Sequence, residues 1–478
     1  MLYHSWAIFN AGQKLNFRFL LWYFKKMGLL ARKITMPKTY MRIWLSLFFL
    51  AGLGASAAQE EPGLPFSWSR FTLKNGLEVV LSEDDALPLV SVVIAYQAGS
   101  IYEQPGKTGL AFLLENMMFM GSLNVGPMQH IGYVSRVGGE PNASTTEDIT
   151  YFYQTVPANQ LALVLWLESD RMKTLEIDAA KAERAKQSLL DEIGQRKAAE
   201  PYLNSLLAFD QILYPDFAHG HSILGREEDI LGLEVEDVRA FYATYYVPSN
   251  AALVVVGNID LTRTRELIEK YFETIAPGRK PPLFLPPRPP EKKEVVQAFE
   301  DSLVPAPALH LGYRIAPPYS RDYYALAVLE YLLFKGKSAR LYRKLVKKEG
   351  LALYIAGEIE KRRDVAAIKI FAMNNNETMV DLCQKSITSE FNKLRTGDVS
   401  SEELAKAKSL FKRDYLSRLA SPMERAMFLA EMVFSPVGLD GLPDQLPKYM
   451  RISPYEVRMA VNRYLVPESS VILNVKLK

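Results

Sequence analysis

At 478 residues the chain is too long for one ordinary core, so two or more domains are expected. Hydrophobic residues at 49% and charged residues at 23% fit a soluble globular protein, and a net charge of +3 excludes the concentrated basic face that nucleic-acid binding needs. The single cysteine, Cys383, excludes an internal disulfide and a cysteine-based zinc cluster, and reads as a buried structural thiol.

In chain order, Met41-Arg42 opens an apolar run over 43–53, followed by the small residues Ala55-Ser56-Ala57. That is the pattern of a signal peptide cut after Ala57, so residues 1–57 are expected to be leader and signal, with Met36 or Met41 the true start. The run is shorter than the roughly 20 apolar residues a spanning helix needs, although an uncleaved anchor is the alternative. Export with a single cysteine fits a bacterial periplasm.

The first half, 58–275, begins with a hairpin at 71–81 around the Asn75-Gly76 turn signal, then an apolar strand at 89–96. The pattern next predicts a helix at 109–119, a strand at 150–156, helices at 161–175, 179–197 and 235–245, and a valine-rich strand at 252–256. A proline-rich stretch within 276–298 cannot continue a helix or a central strand and reads as a stiff linker. The second half, 299–478, repeats the order, with strands near 308–313, 353–359, 366–373 and 471–475. Its helices are expected at 323–334, 376–395, 402–418 and 455–464. Val238, Arg239, Tyr245 and Pro248 recur as Val457, Arg458, Tyr464 and Pro467, while Leu114, Glu115, Phe119 and Gly121 recur as Leu329, Glu330, Phe334 and Gly336. Two blocks with nearly equal offsets indicate duplication. The expected fold is α+β, with two duplicated domains, each a mainly antiparallel sheet with helices on one face.

The stretch Gly109 to Phe119 resembles the signature of the pitrilysin/insulinase-like metallopeptidases, which include the mitochondrial processing peptidases and bacterial two-domain relatives. The resemblance extends to Gly138-Gly139, to Asn142-Ala143-Ser144-Thr145, to the turn from Tyr245 to Asn250, and to Ser338-Ala339-Arg340-Leu341-Tyr342. It implies an H-x-x-E-H motif whose two histidines share a helix face and hold zinc, with the glutamate activating water and a later glutamate completing the site. Here the histidine positions are Phe112 and Asn116, and only Glu115 and the expected third ligand, Glu192, remain. Phenylalanine has no ligand atom and an asparagine amide is a poor zinc ligand, so neither bound zinc nor catalysis is expected. Glu115 has a counterpart in Glu330, where no catalysis is expected, and so also reads as a residue of packing or capping. Glu192 reads equally as a ligand remnant or a solvated carboxylate, and His219-Gly220-His221 as a surface loop. The family's substrate-clamping arginine and tyrosine fall on Val346 and Leu353, with Tyr354 one residue late and Lys347 beside the arginine position.

The resemblance implies that Asn142, Ala143, Ser144 and Thr145 form the strand that pairs with an unfolded peptide. It also implies a heterodimer with an active homologous partner that supplies the zinc. Two alternatives stay open. One is a working metalloendopeptidase using Glu115, Glu192 and His219 or His221; the other is a peptide-binding or assembly protein without proteolysis.

Overall fold

The computed structural model describes residues 64–397 and 399–478, so the expected leader and signal segment lies outside the described residues. The strands form two sheets. The first holds β1 (Ser69–Thr72), β2 (Glu78–Glu83), β3 (Leu89–Tyr96), β4 (Glu140–Thr145), β5 (Thr150–Pro157) and β6 (Ala251–Gly257), in the order β1-β2-β6-β3-β5-β4. The second holds β7 (Val295–Asp301), β8 (Ala308–Ile315), β9 (Tyr354–Lys361), β10 (Ala366–Met373) and β11 (Ser470–Leu477), in the order β7-β11-β8-β10-β9. In each sheet one pairing is parallel, β2 with β6 and β7 with β11, and the rest are antiparallel. The duplication therefore extends to strand order, direction and register: Leu253 lies opposite Ile94, as Ile472 lies opposite Leu311. Gly76 supplies the positive φ (87°) of the first hairpin turn.

The main helices of the first half are α1 (Leu110–Met117), α2 (Leu161–Thr174), α3 (Ala179–Ala199), α4 (Leu203–Leu213), α5 (Val235–Tyr245) and α6 (Leu261–Phe272). Those of the second are α7 (Arg321–Leu333), α8 (Glu377–Thr396), α9 (Ser401–Ala420), α10 (Pro422–Phe434) and α11 (Pro454–Tyr464). Each half packs its own helices on one face of its sheet, as the repeat implied. The opposite face takes a helix from the other half. Phe209 and Leu213 of α4 pack with Ala367, Val471 and Leu473 of the second sheet. Leu429, Ala430 and Met432 of α10 pack with Val80, Val93, Val254 and Val256 of the first.

This exchange explains why β6 is buried at every position. Side chains alternate across a strand, so Leu253 and Val255 enter the core of their own half while Val254 and Val256 meet α10. Gly312 is required beneath α4, because a Cβ there would come within 2.7 Å of the Phe209 ring. Neither α4 nor α10 was among the expected elements. Residues 276–294 carry no helix or strand, and β7 starts at Val295, inside the stretch read as linker.

Candidate functional site

The motif helix α1 is preceded at its N-cap by Gly109 (φ 84°), which has no side chain to cap the first turn. Glu103 does so instead, accepting from Gly109 N at 2.9 Å and Ala111 N at 2.8 Å. These are amides a helix N-terminus leaves without intrahelical partners, and a carboxylate is favoured there. His221 Nε2 lies 3.0 Å from the same carboxylate and its Nδ1 lies 2.5 Å from Phe217 O. Burial alone would lower the His221 pKa, but the Glu103 carboxylate raises it above the ordinary value. The expected surface loop at His219-Gly220-His221 is therefore corrected: both histidines are buried, and His221 props the cap of the motif helix.

Along α1, Phe112 packs against the first-half core. The Asn116 amide turns back on its own helix, its Nδ2 donating to Phe112 O at 3.2 Å. Glu115 reaches the last residue of β4, where Thr145 Oγ1 donates to its Oε2 at 2.5 Å. Burial raises the Glu115 pKa, hydrogen bonds from the Thr145 hydroxyl and backbone oppose the shift, and the charge of Glu192 on α3 adds to it. Glu192 on α3 therefore lies near enough for its charge to act on Glu115. The four positions do not fit zinc, since Phe112 has no donor atom, the Asn116 amide oxygen is a poor zinc ligand, and no imidazole or thiolate stands among them. Among the described residues, no three His, Cys, Asp or Glu side chains are placed to share a metal ion.

The second half shows what the glutamate does without a metal. Glu330 on α7 takes a hydrogen bond from the backbone of Ile359 on β9 and lies 2.9 Å from Lys335 Nζ. Ile359 faces Ile368 in the ladder as Thr145 faces Thr150, so the two glutamates grip corresponding rungs of the two edge strands. Both tie a helix to the edge of a sheet.

The edge strand β4 pairs only with β5. Pro141 within it has no N–H to offer, the Ala143 N–H is taken by Asn142 Oδ1 at 2.8 Å, and the Thr145 backbone serves Glu115. Proline and occupied donors are how exposed edges avoid unwanted pairing. Asn142 is exposed, Ala143 and Ser144 half-buried and Thr145 buried.

Two family models match the chain: "Insulinase (Peptidase family M16)" over residues 78–218 and "Peptidase M16 inactive domain" over 232–411. The chain belongs to the insulinase-like M16 family. It is 29% identical over 440 residues to the zinc protease PqqE of Helicobacter pylori, an alignment covering 90% of this chain and 97% of that protein. Zinc protease YmxG of Bacillus subtilis is 25% identical over 358 residues, 74% of this chain and 84% of its own. Among solved structures, a protease from Helicobacter pylori superposes with a TM-score of 0.80 at 26% identity, covering 86% of this chain and all of that one. An M16-like peptidase from Alicyclobacillus acidocaldarius gives 0.75 at 20% identity, over 87% of this chain and 100% of its own, which shows the fold.

In this M16 chain the charged residues that sequence reasoning missed lie where the β9–β10 turn enters the first half. His219 sits between Asp216 (Nδ1, 2.9 Å) and Asp364 (Nε2, 3.0 Å). Burial alone would lower its pKa, but the two carboxylates raise it to about 9. Arg362 donates to His219 O, lies 3.4 Å from Glu147 and stacks on the Tyr214 ring at 4.1 Å, while Lys369 pairs with Asp210 at 2.5 Å. Asp148 is pushed up to about 7 by burial, with Glu147 adding and Arg363 and Arg362 opposing. Close spacing of Arg362, Arg363 and Asp364 was the available signal, but nothing in one sequence says what faces it. At the clamp positions, Leu353 and Tyr354 are exposed and the Tyr354 ring lies 6.3 Å from Phe371.

Proposed function

We propose that this chain is a non-catalytic M16 subunit that holds unfolded peptide and works beside an active homologue that carries the zinc. The observation that carries this is the state of the motif helix. Phe112 is half-buried against the core, the Asn116 amide is turned onto its own helix, and Glu115 is engaged with the edge strand as Glu330 is in the other half. No preformed nitrogen ligand remains to create a zinc-bound water, the nucleophile of such enzymes. The relatives' names describe zinc proteases, which supports a zinc-bearing partner of the same fold. The peptide would add to β4, an open edge that still offers carbonyl groups. The apolar run at 43–53 and Ala55-Ser56-Ala57 support export to a periplasm.

The test is zinc analysis and peptide cleavage by the purified chain, alone and co-expressed with a zinc-bearing homologue. Cleavage is expected only from the pair, with the metal on the partner. Stoichiometric zinc in this chain, with cleavage lost in Glu115→Gln, would overturn the proposal. A stable complex without cleavage would favour an assembly role.

A further inference from the structure

The two halves differ in charge at one place that the duplication makes legible. Between Glu330 and Glu349 the chain carries seven lysines and arginines and no carboxylate, a concentration that the net charge of +3 hides. Three of the seven are paired: Lys335 with Glu330 at 2.9 Å, Lys344 with Glu349 at 3.0 Å, and Arg340 with Glu390 at 3.1 Å. Lys337, Arg343, Lys347 and Lys348 are exposed, and among the described residues none of them has an ion-pair partner. The last three stand on a π-helical stretch, Tyr342–Lys348, whose Leu345 is buried in the second-half core. Like charges a turn apart repel, and no carboxylate offsets them here. The first half has a helix at the same place in its order, Gln129–Arg136 between α1 and β4, and it carries one arginine and no lysine.

The basic stretch lies at one end of a rim made by the two edge strands. β4 ends at Thr145 and β9 at Lys361, and the turns that follow them meet, with Glu147 3.4 Å from Arg362. At its other end β9 starts from a loop folded onto the π-helix, where Leu351 N and Ala352 N donate to Leu345 O at 2.9 and 3.3 Å. A peptide extended along β4 and onward passes the 8 residues of β9 in about 26 Å and then arrives at the cations. We propose that this basic face selects acidic segments of the unfolded peptide, holding their carboxylates on Arg343, Lys347 and Lys348. The inference rests on the reading of this chain as a peptide holder and adds the class of peptide held. Side chains one helical turn apart are about 5–6 Å from each other, close to the roughly 7 Å between alternate side chains of an extended peptide. A membrane surface fits less well, because Leu345 is buried and Val346 half-buried, which leaves the stretch no apolar face to insert. A nucleic acid also fits less well, since Tyr342, the one ring on the stretch, is half-buried with Lys347 Nζ over it at 5.7 Å and offers no platform for bases.

The probe is an unstructured, fluorescein-labelled peptide of about 20 residues in two forms, one with glutamates and one with glutamines at the same positions. Each is titrated with the full chain and followed by anisotropy. The acidic form should bind about tenfold more tightly at low salt, and added salt should remove the difference. Replacing Arg343, Lys347 and Lys348 together by Gln should abolish the preference and leave binding of the glutamine form unchanged. Replacing Arg279, Lys280 and Arg288 of the linker, which are also exposed, makes the same change in net charge and should keep the preference. Lys347→Gln alone should cost about two- to threefold, and it decides the matter if melting shows the triple variant to be misfolded. Equal binding of both forms by wild type, or a preference lost equally in the linker variant, would overturn the proposal and leave the proposed function standing. Binding of neither form would overturn the peptide-holding reading along with it. Tighter binding of anionic lipid vesicles or single-stranded DNA than of the acidic peptide, lost in the triple variant, would overturn the peptide in favour of that partner.

Discussion

Asp364→Asn should destabilise the protein in a way that fades as the pH rises. His219 is buried between Asp216 and Asp364, faces the Tyr214 and Phe284 rings, and has Arg362 on its own main-chain carbonyl. Its pKa rises from 6.5 to about 9, and at about 1.36 kcal/mol per unit the two carboxylates together stabilise the folded state by roughly 3 kcal/mol. Asp364 is one of the two partners, so its replacement should remove part of that, on the order of 1–2 kcal/mol at pH 6. The sign follows from linkage. A histidine whose folded pKa is raised stabilises fully below its unfolded pKa of 6.5, and that stability is lost as pH climbs through about 9.

The assay is urea unfolding of wild type and variant at pH 6, 8 and 10, read as differences in free energy. The gap should be largest at pH 6 and close to zero at pH 10. Asp148, raised to about 7, titrates in the same sense, its folded form favouring the proton, so both proteins should gain stability as pH falls through 7. Asp364 itself helps raise Asp148, so the comparison is made with Asp148→Asn in both backgrounds. A gap that stays constant from pH 6 to 10 would refute the ion-pair account and leave only a packing defect.

Three further outcomes can be checked directly. Asn142→Ala frees the Ala143 N–H on the open edge of β4 and should tighten binding of an unfolded peptide measured by calorimetry, whereas weaker binding would remove β4 from the peptide-holding role. Phe112→His with Asn116→His places two imidazoles at i and i+4 beside Glu192, and the double variant should retain about one zinc through dialysis where wild type retains none. Leu429→Ala empties a fully buried position between α10 and the first sheet, and should lower unfolding free energy by about 2–5 kcal/mol in a single shared transition; separate melting of the two halves would contradict their interlock.

Much of the fold was legible because its signals are local. The Asn75-Gly76 turn, the valine-rich β6 and the paired blocks around Glu115 and Glu330 each carry their meaning within a short window. The exchange of α4 and α10 was not legible in the same way. Both segments have helical apolar spacing, but which sheet that spacing serves is decided by contacts more than 150 residues away in the chain (367 − 209, for Ala367 and Phe209). His219 and His221 were misplaced for the same reason, since a histidine between loop-like residues reads as exposed until the β9–β10 turn and Glu103 are set against it. At the site itself the identities of Phe112 and Asn116 were plain. Their direction of bonding was not.

That direction bears on why the glutamate persists. In a zinc enzyme of this family the glutamate of the motif serves the metal-bound water, so loss of both histidines would free the position to drift. Here Glu115 holds Thr145, and Glu330 holds the corresponding rung in a half that has no such chemistry to preserve. A buried carboxylate is costly unless its hydrogen bonds are made; Thr145 of the edge strand meets Glu115, and Lys335 together with the Ile359 backbone meets Glu330. Anchoring the edge is therefore a function the position has in either half, with or without a metal. Glu115→Ala should then loosen the end of β4, seen as faster amide exchange at Thr145, and Glu330→Ala should do the same at Ile359. If exchange at both rungs is unchanged, the glutamates are not the clamps and the retention of Glu115 points back to chemistry.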